Sequence, residues 1–342
     1  MSLSYRTRRR LRGWTTALLT LLILGILAFT TWVVWADRYV IYTRDGARLD
    51  FSLEEHFPAG EPAKPQELGD PVEVVVILPQ EGSSQAAPTQ TSINGYYVDS
   101  KLLEEDIPGL METLKTLPEG TAVLMDMKTV KGSFYYETTV GSTVEREVEQ
   151  EQMSQLLQLL SSRNLHAIAR IPAFRDWEFG LNNVPLGLPK KGGNGSLWMD
   201  SRNCYWLNPT KDGVLEYLIE IAMELKSLGF KEVVFTDFRF PDTDKITFKG
   251  DKTQALTDAA ATLAAACATE RFTVSFYTGD YQFELPAGNT RLYITDAQAS
   301  ELPLILQTYP TGNPSLQLLF LTEAHDTRFN DYCVLRPLED AA

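Results

Sequence analysis

From Ile93 onward the chain alternates between short apolar runs and longer segments whose apolar residues recur at helical spacing. No other feature limits the fold as tightly. Strands alternating with helices build a parallel sheet, since each crossover helix carries the chain back to start the next strand in the same direction. Strand signals fall at Ile93–Val98, Ala122–Met127, Ala167–Ile171, Glu232–Phe238, Phe272–Tyr277, Arg291–Thr295, Leu316–Leu321 and Tyr332–Leu335. Helical periodicity covers Leu102–Thr116, Glu145–Arg163, Lys211–Leu228 and Thr253–Glu270. Eight such strands in about 250 residues predict an α/β fold closed as a (β/α)8 barrel. Residues 278 to 290 are too few for an ordinary crossover helix, so an irregular second half is expected.

The N-terminal region reads differently. Arg6, Arg8, Arg9, Arg10 and Arg12 precede an uncharged run from Trp14 to Ala36. A run of ~20 or more apolar residues is long enough to span a bilayer as a helix. Trp14, Trp32 and Trp35 sit near its ends, where amphipathic rings favour the headgroup zone. The run exceeds the ~7–15 apolar residues of a cleaved leader, so a retained transmembrane helix over 14–36 is expected. The preceding arginines put residues 1–13 in the cytoplasm and the bulk of the chain outside a single-pass membrane anchor. Residues 37–92 read as a hairpin turned at Asp45-Gly46 followed by a linker, with the barrel domain at 93–342.

The chain carries a formal charge of −14, and the five arginines mask a still more acidic remainder. An acidic surface disfavours nucleic acid as a partner, because phosphate binding needs basic residues. The three cysteines form no metal-binding spacing, and Cys204 and Cys333 are the pair with freedom to bridge. His56, His166 and His325 are scattered.

In a barrel of this kind, polar residues at the carboxyl ends of the strands line the mouth. They include Tyr97 after the first strand and Asp126 and Lys128 after the second. Arg170, Asp176 and Trp177 accompany the third strand, and Asp237 and Arg239 the fourth. Hydrolysis of a glycosidic bond uses two carboxylates, one to protonate the leaving oxygen and one to attack or to activate water. Arginine beside a carboxylate keeps it ionised, and aromatics such as Trp177 and Trp206 offer apolar platforms for sugar faces. Each residue alone has a structural alternative, as a helix cap, an ion pair or core.

Several blocks together resemble the glycoside-hydrolase-type domain of bacterial cell-surface proteins formerly classed as DUF4015. They are Ile93-Asn-Gly-Tyr-Tyr-Val, Ala122-Val-Leu-Met-Asp126-Met-Lys128, Lys131-Gly-Ser-Phe-Tyr-Tyr, Ala167-Ile-Ala-Arg170-Ile-Pro-Ala-Phe174-Arg-Asp176, Trp198-Met-Asp200, Trp206-Leu-Asn208-Pro209 and Gly229 to Pro241. The resemblance runs over roughly residues 93 to 245 and implies a TIM barrel related to sugar hydrolases. It departs in two places: Arg291-Leu-Tyr-Ile-Thr-Asp296 occupies the region of the family's Pro-Met-x-Tyr-Pro segment near the sixth strand, and the fourth-strand motif is shifted. Aligned on Arg239-Phe-Pro241, the family's aspartate falls on Thr236, and Asp237 stands one residue later. Successive strand residues face opposite sides, so Asp237 is expected to point away from the family's position unless a local kink restores it.

These readings give a membrane-anchored, extracytoplasmic glycoside hydrolase acting on a polysaccharide or cell-wall glycan. Asp237 serves as nucleophile or base and Asp126 as its partner. Arg239, Arg170, Lys128, Asp176 and Tyr97 would orient substrate, and Trp177 and Trp206 would stack on sugars. The two-carboxylate chemistry needs neither metal nor organic cofactor. The alternative is an inactive barrel that binds glycan or an envelope protein.

Overall fold

The computed structural model describes strand backbone at 40–43 and 46–49, and residues 90–341 apart from 142, 278–282 and 296. The expected transmembrane segment at 14–36 lies outside the described residues. Among those described, no helix is long and apolar enough to cross a membrane. The chain divides into two compact units, Met1–Glu81 and Gly82–Ala342. In the first, β1 (Val40–Thr43) pairs antiparallel with β2 (Gly46–Leu49).

The second unit is a closed barrel of eight parallel strands in the order β10-β3-β4-β5-β6-β7-β8-β9. Its strands are β3 (Asn94–Tyr97), β4 (Ala122–Asp126), β5 (His166–Pro172), β6 (Glu232–Thr236), β7 (Thr273–Tyr277), β8 (Thr290–Thr295), β9 (Leu318–Leu321) and β10 (Cys333–Pro337). Alternation sorts the side chains into two cores. Leu124, Ile168, Val234, Tyr293, Leu319 and Leu335 fill the barrel interior. Val123, Ala169, Phe235 and Phe276 face outward into the larger core shared with the helices.

The helices follow the predicted places with local corrections. The first predicted helix is two, α1 (Ser100–Glu105) and α2 (Ile107–Thr116). Asp106 separates them and caps the second by accepting from Gly109 N–H, just ahead of Pro108. The others are α3 (Gln150–Ser162), α4 (Trp177–Asn182), α5 (Asp212–Ser227), α6 (Lys252–Cys267), α7 (Leu302–Thr308) and α8 (Pro314–Gln317). Gly229, at φ 98°, ends α5. Phe230 N–H reaches back to Leu225 C=O and Gly229 N–H to Lys226 C=O, a closure that favours glycine and delivers the chain into β6. Between β7 and β8 the described residues hold no helix, as the short connection requires.

The amino-terminal end of the barrel is closed by charge. Glu232 is fully buried and pairs with Arg291; it accepts from Ser275 Oγ at 2.6 Å and Tyr293 Oη at 2.9 Å, with His166 Nε2 at 3.3 Å. Burial alone would raise the carboxyl pKa. The Arg291 charge and the hydrogen bonds outweigh it and hold Glu232 at about 2. Cys333 begins β10 at this end, whereas Cys204 lies in a loop of the opposite face, and both thiols are free. That separation removes the possibility of a bridge between them.

Candidate active site

Two clusters of charge occupy the carboxyl end of the barrel. The deeper one is formed by strand register. Asp126 at the end of β4 stands directly opposite Arg170 of β5. Both follow inward-facing residues by two positions, so both point into the mouth. Arg170 Nε and Nη2 donate to the two carboxylate oxygens of Asp126 at 2.5 and 2.7 Å, a bidentate pair. Burial by itself would lower the Arg170 pKa, but the bond and charge of Asp126 raise it overall. Tyr97 and Tyr277 pack against the interior cluster beneath the same mouth.

The upper cluster surrounds Asp237. Arg170 is level with Val234 of β6, so Asp237 stands three residues further on, roughly 10 Å along the strand direction at ~3.3 Å per residue. Thr236 keeps the inward-facing position, its hydroxyl 3.4 Å from Ile171 C=O. Asp237 then takes φ 48°. Aspartate is among the few residue types that tolerate this left-handed region, at some cost. The turn stops β6 two residues before the predicted end. It breaks the strict alternation that would send Asp237 to the helix side, which is the local kink the sequence left open.

Asp237 is half-buried, and its carboxylate makes no hydrogen bond or ion pair with the described residues. Burial raises its pKa, against the opposing pull of Arg175 and Arg239 and with added push from Asp200. Those neighbours form a network. Arg175 Nε donates to Asp200 Oδ2 at 2.7 Å, and the Trp206 indole N–H donates to the same oxygen at 3.2 Å. The Arg239 guanidinium lies over the Trp206 ring, 5.2 Å from its centroid. Bonds to Arg175, Trp206 and Cys204 N–H overcome the desolvation of Asp200 and lower its pKa.

Three of the predicted substrate contacts are corrected by this geometry. Lys128 and Asp176 form a buried ion pair at 2.5 Å, with side-chain exposures of 0% and 1%. The ammonium also sits over the rings of Phe134 and Tyr217, and Asp176 accepts from Tyr217 Oη and from Phe179 N–H at the start of α4. Both residues therefore lock loops together and offer no surface to a ligand. Trp206 is 3% exposed and covered by Arg239, so it supports Asp200 and leaves no open platform. Trp177, by contrast, is 36% exposed at the start of α4. Asp200 and Arg175 were not singled out for the site, although both stand in blocks that carry the resemblance. Their signal was position in those blocks, because neither ends a strand.

A mouth of this shape, with carboxylates at the carboxyl ends of barrel strands and arginines between them, defines the class: a TIM barrel with a carboxylate-rich active-site face. The family described as "Putative glycosyl hydrolase domain", DUF4015, matches residues 104–274, half of the chain. The protein belongs to that family. Among curated proteins none matches it. Solved structures similar to it include a hypothetical protein from Ruminiclostridium thermocellum ATCC 27405, 22% identical over 53% of this chain and 96% of that one, with a TM-score of 0.46. An α-galactosidase from Thermus thermophilus is 12% identical over 54% of this chain and 38% of its own, at TM-score 0.40. A GH20 exo-β-N-acetylglucosaminidase from Vibrio harveyi is 10% identical over 72% of this chain and 50% of its own, at 0.46. The protein thus spans half or less of those two enzymes.

Proposed function

We propose that the barrel hydrolyses O-glycosidic bonds of a polysaccharide with Asp126 and Asp237 in separate roles. The observation that carries this is the contrast between their surroundings. Asp126 is matched by a bidentate guanidinium, the partner an ionised carboxylate needs. Asp237 is desolvated and unpaired, and its raised pKa favours the protonated form. Environments that differ in this way are how one site separates an acid from a base. The expected nucleophile therefore becomes the general acid, and Asp126 becomes the carboxylate that activates water or attacks. Reducing-sugar release from a panel of bacterial cell-wall sacculi, starch, cellulose, chitin and galactomannan tests the activity. Release from at least one, lost in Asp126→Asn and in Asp237→Asn, is expected. No release from any, or release unchanged in both variants, overturns it.

A second reading has its own observation. Thr236 presents a hydroxyl where the resemblance places the family's aspartate. A barrel that binds glycan or an envelope protein without cleaving it would show saturable binding and no product after prolonged incubation.

The same proposal includes the setting. The basic residues 6–12 and the run at 14–36 make the protein a single-pass membrane protein with its barrel outside the cytoplasm. Resistance to alkaline extraction from membranes, together with protease access to the barrel in intact cells, is the expected result. Release of the whole chain by alkali would remove the anchor.

A further inference from the structure

The geometry points to a second carbohydrate subsite beside the Asp126–Asp237 mouth, shaped for a neutral pyranose unit of a longer chain. It rests on the hydrolase reading for its biological use, though not for its existence. An open cavity of about 440 Å³ is lined by Lys131, Ser133, Thr143, Trp177, Glu178 and Asn203. These residues come from the loop after β4, the first turn of α4 and the turn at 200–204. All three segments belong to the mouth face of the barrel.

The lining has the chemistry a sugar ring requires. A pyranose offers an apolar C–H face and an edge of hydroxyls that both donate and accept. Trp177 supplies the flat apolar surface. A singly exposed aromatic on a convex surface would mean little, since most protein surface is apolar anyway. Trp177 instead sits in a concavity ringed by polar groups of both kinds, the mark of a small-ligand site. Lys131 Nζ donates to the carbonyls of Arg202 and Asn203, each at 3.0 Å, which fixes the ammonium at the cavity wall. Thr143 Oγ1 donates to Glu178 Oε1 at 2.7 Å and fixes that carboxylate. One ammonium and one carboxylate together balance in charge. An anionic or cationic ligand would meet one favourable and one unfavourable group, whereas a neutral polyol can bond to both.

The walls are built before any ligand arrives, which keeps the ordering cost of binding low. Gly132 has φ 102°, and a Cβ there would come within 2.4 Å of Glu178 Cβ, so loop and helix touch at a point only glycine allows. Trp177 N–H donates to Val130 C=O at 3.0 Å. The turn carrying Asn203 is closed by Asp200 Oδ1, which accepts from Arg202 and Cys204 N–H. The other oxygen of Asp200 binds Arg175 and Trp206 next to Asp237. One aspartate thus ties the subsite to the reacting cluster.

The test is calorimetric titration of full-length Asp237→Asn protein with maltopentaose, cellopentaose and chitopentaose, in detergent. Saturable binding of at least one is expected, weakened tenfold or more by adding Trp177→Ala and severalfold by adding Lys131→Ala, with Trp177→Phe recovering most of the loss. No binding of any pentasaccharide, or equal binding after Trp177→Ala in a protein with an unchanged thermal midpoint, overturns the subsite. Activity surviving in Asp237→Asn would sink the catalytic assignment while leaving the binding comparison intact.

Discussion

The reassignment of Lys128 and Asp176 from substrate contacts to buried structure makes a large and specific prediction for Asp176→Ala. The substitution strands the Lys128 ammonium, whose side chain has 0% exposure. Removing one partner of a buried pair costs about 3–5 kcal/mol. The same change removes the acceptor for Phe179 N–H at the start of α4, worth about 1 kcal/mol. It also orphans the buried Tyr217 hydroxyl, a further ~1–3 kcal/mol. These terms overlap because they share one carboxylate, so a total of about 4–6 kcal/mol is expected, a large part of the ~5–15 kcal/mol that holds a typical domain. Urea unfolding followed by tryptophan fluorescence reads it as a lower midpoint. The double variant Lys128→Met/Asp176→Leu removes both charges together and should recover much of the loss. A single variant within about 1 kcal/mol of wild type, with only KM altered, would refute the structural assignment and return the pair to the substrate site.

Asp237→Asn should stabilise the protein at neutral pH. A carboxyl whose folded pKa is raised favours folding below its unfolded value, about 3.9, and loses that contribution as pH rises through the folded value. The thermal midpoint of the variant should therefore exceed wild type at pH 7 and converge with it near pH 3; a lower midpoint at pH 7 would contradict the desolvation argument. Asparagine also tolerates φ 48°, so backbone strain does not obscure the result. Glu232 works in the opposite sense. Its pKa is held at about 2, so its stabilisation is present above the unfolded value of about 4.3 and disappears as pH falls toward 2. Arg291→Met should cost about 3–5 kcal/mol at pH 7 and less near pH 3, where the Glu232 carboxyl of the variant, deprived of the arginine, takes up a proton; a pH-independent loss in acid-denaturation curves would show that the pair carries no linkage.

The fold was legible where the strands are continuous apolar runs, as in Ala122–Met125 and Val233–Phe235, because parallel strands are buried on both faces. Strand ends were less so. The end of β6 depends on Asp237 entering the left-handed region, and no hydrophobic pattern encodes a single backbone torsion. The site was legible in part for a related reason. Asp126 and Arg170 follow alternation from Leu124 and Ile168, so their inward direction could be counted off. Lys128, Asp176 and Trp206 lie in loops past the strand ends, where counting fails. Charge in a sequence gives no sign of burial until the partner is known, and Lys128 meets Asp176 from 48 residues away. Asp200 sits in a turn between β5 and α5, far from any strand end, and only the fold brings it beside Asp237.

The division of labour between Asp237 and Asp126 is tested most directly by leaving-group dependence. Once a cleaved glycan is known, kcat/KM is measured for its 2,4-dinitrophenyl glycoside, which needs no protonation to depart, and for an alkyl glycoside of the same sugar, which does. Asp237→Asn should lose at least about 100-fold on the alkyl glycoside, within the ~10²–10⁴ range of general acid catalysis, and little on the dinitrophenyl compound. Asp126→Asn should lose on both. Equal losses on the two substrates in Asp237→Asn would show that this carboxyl is not the acid.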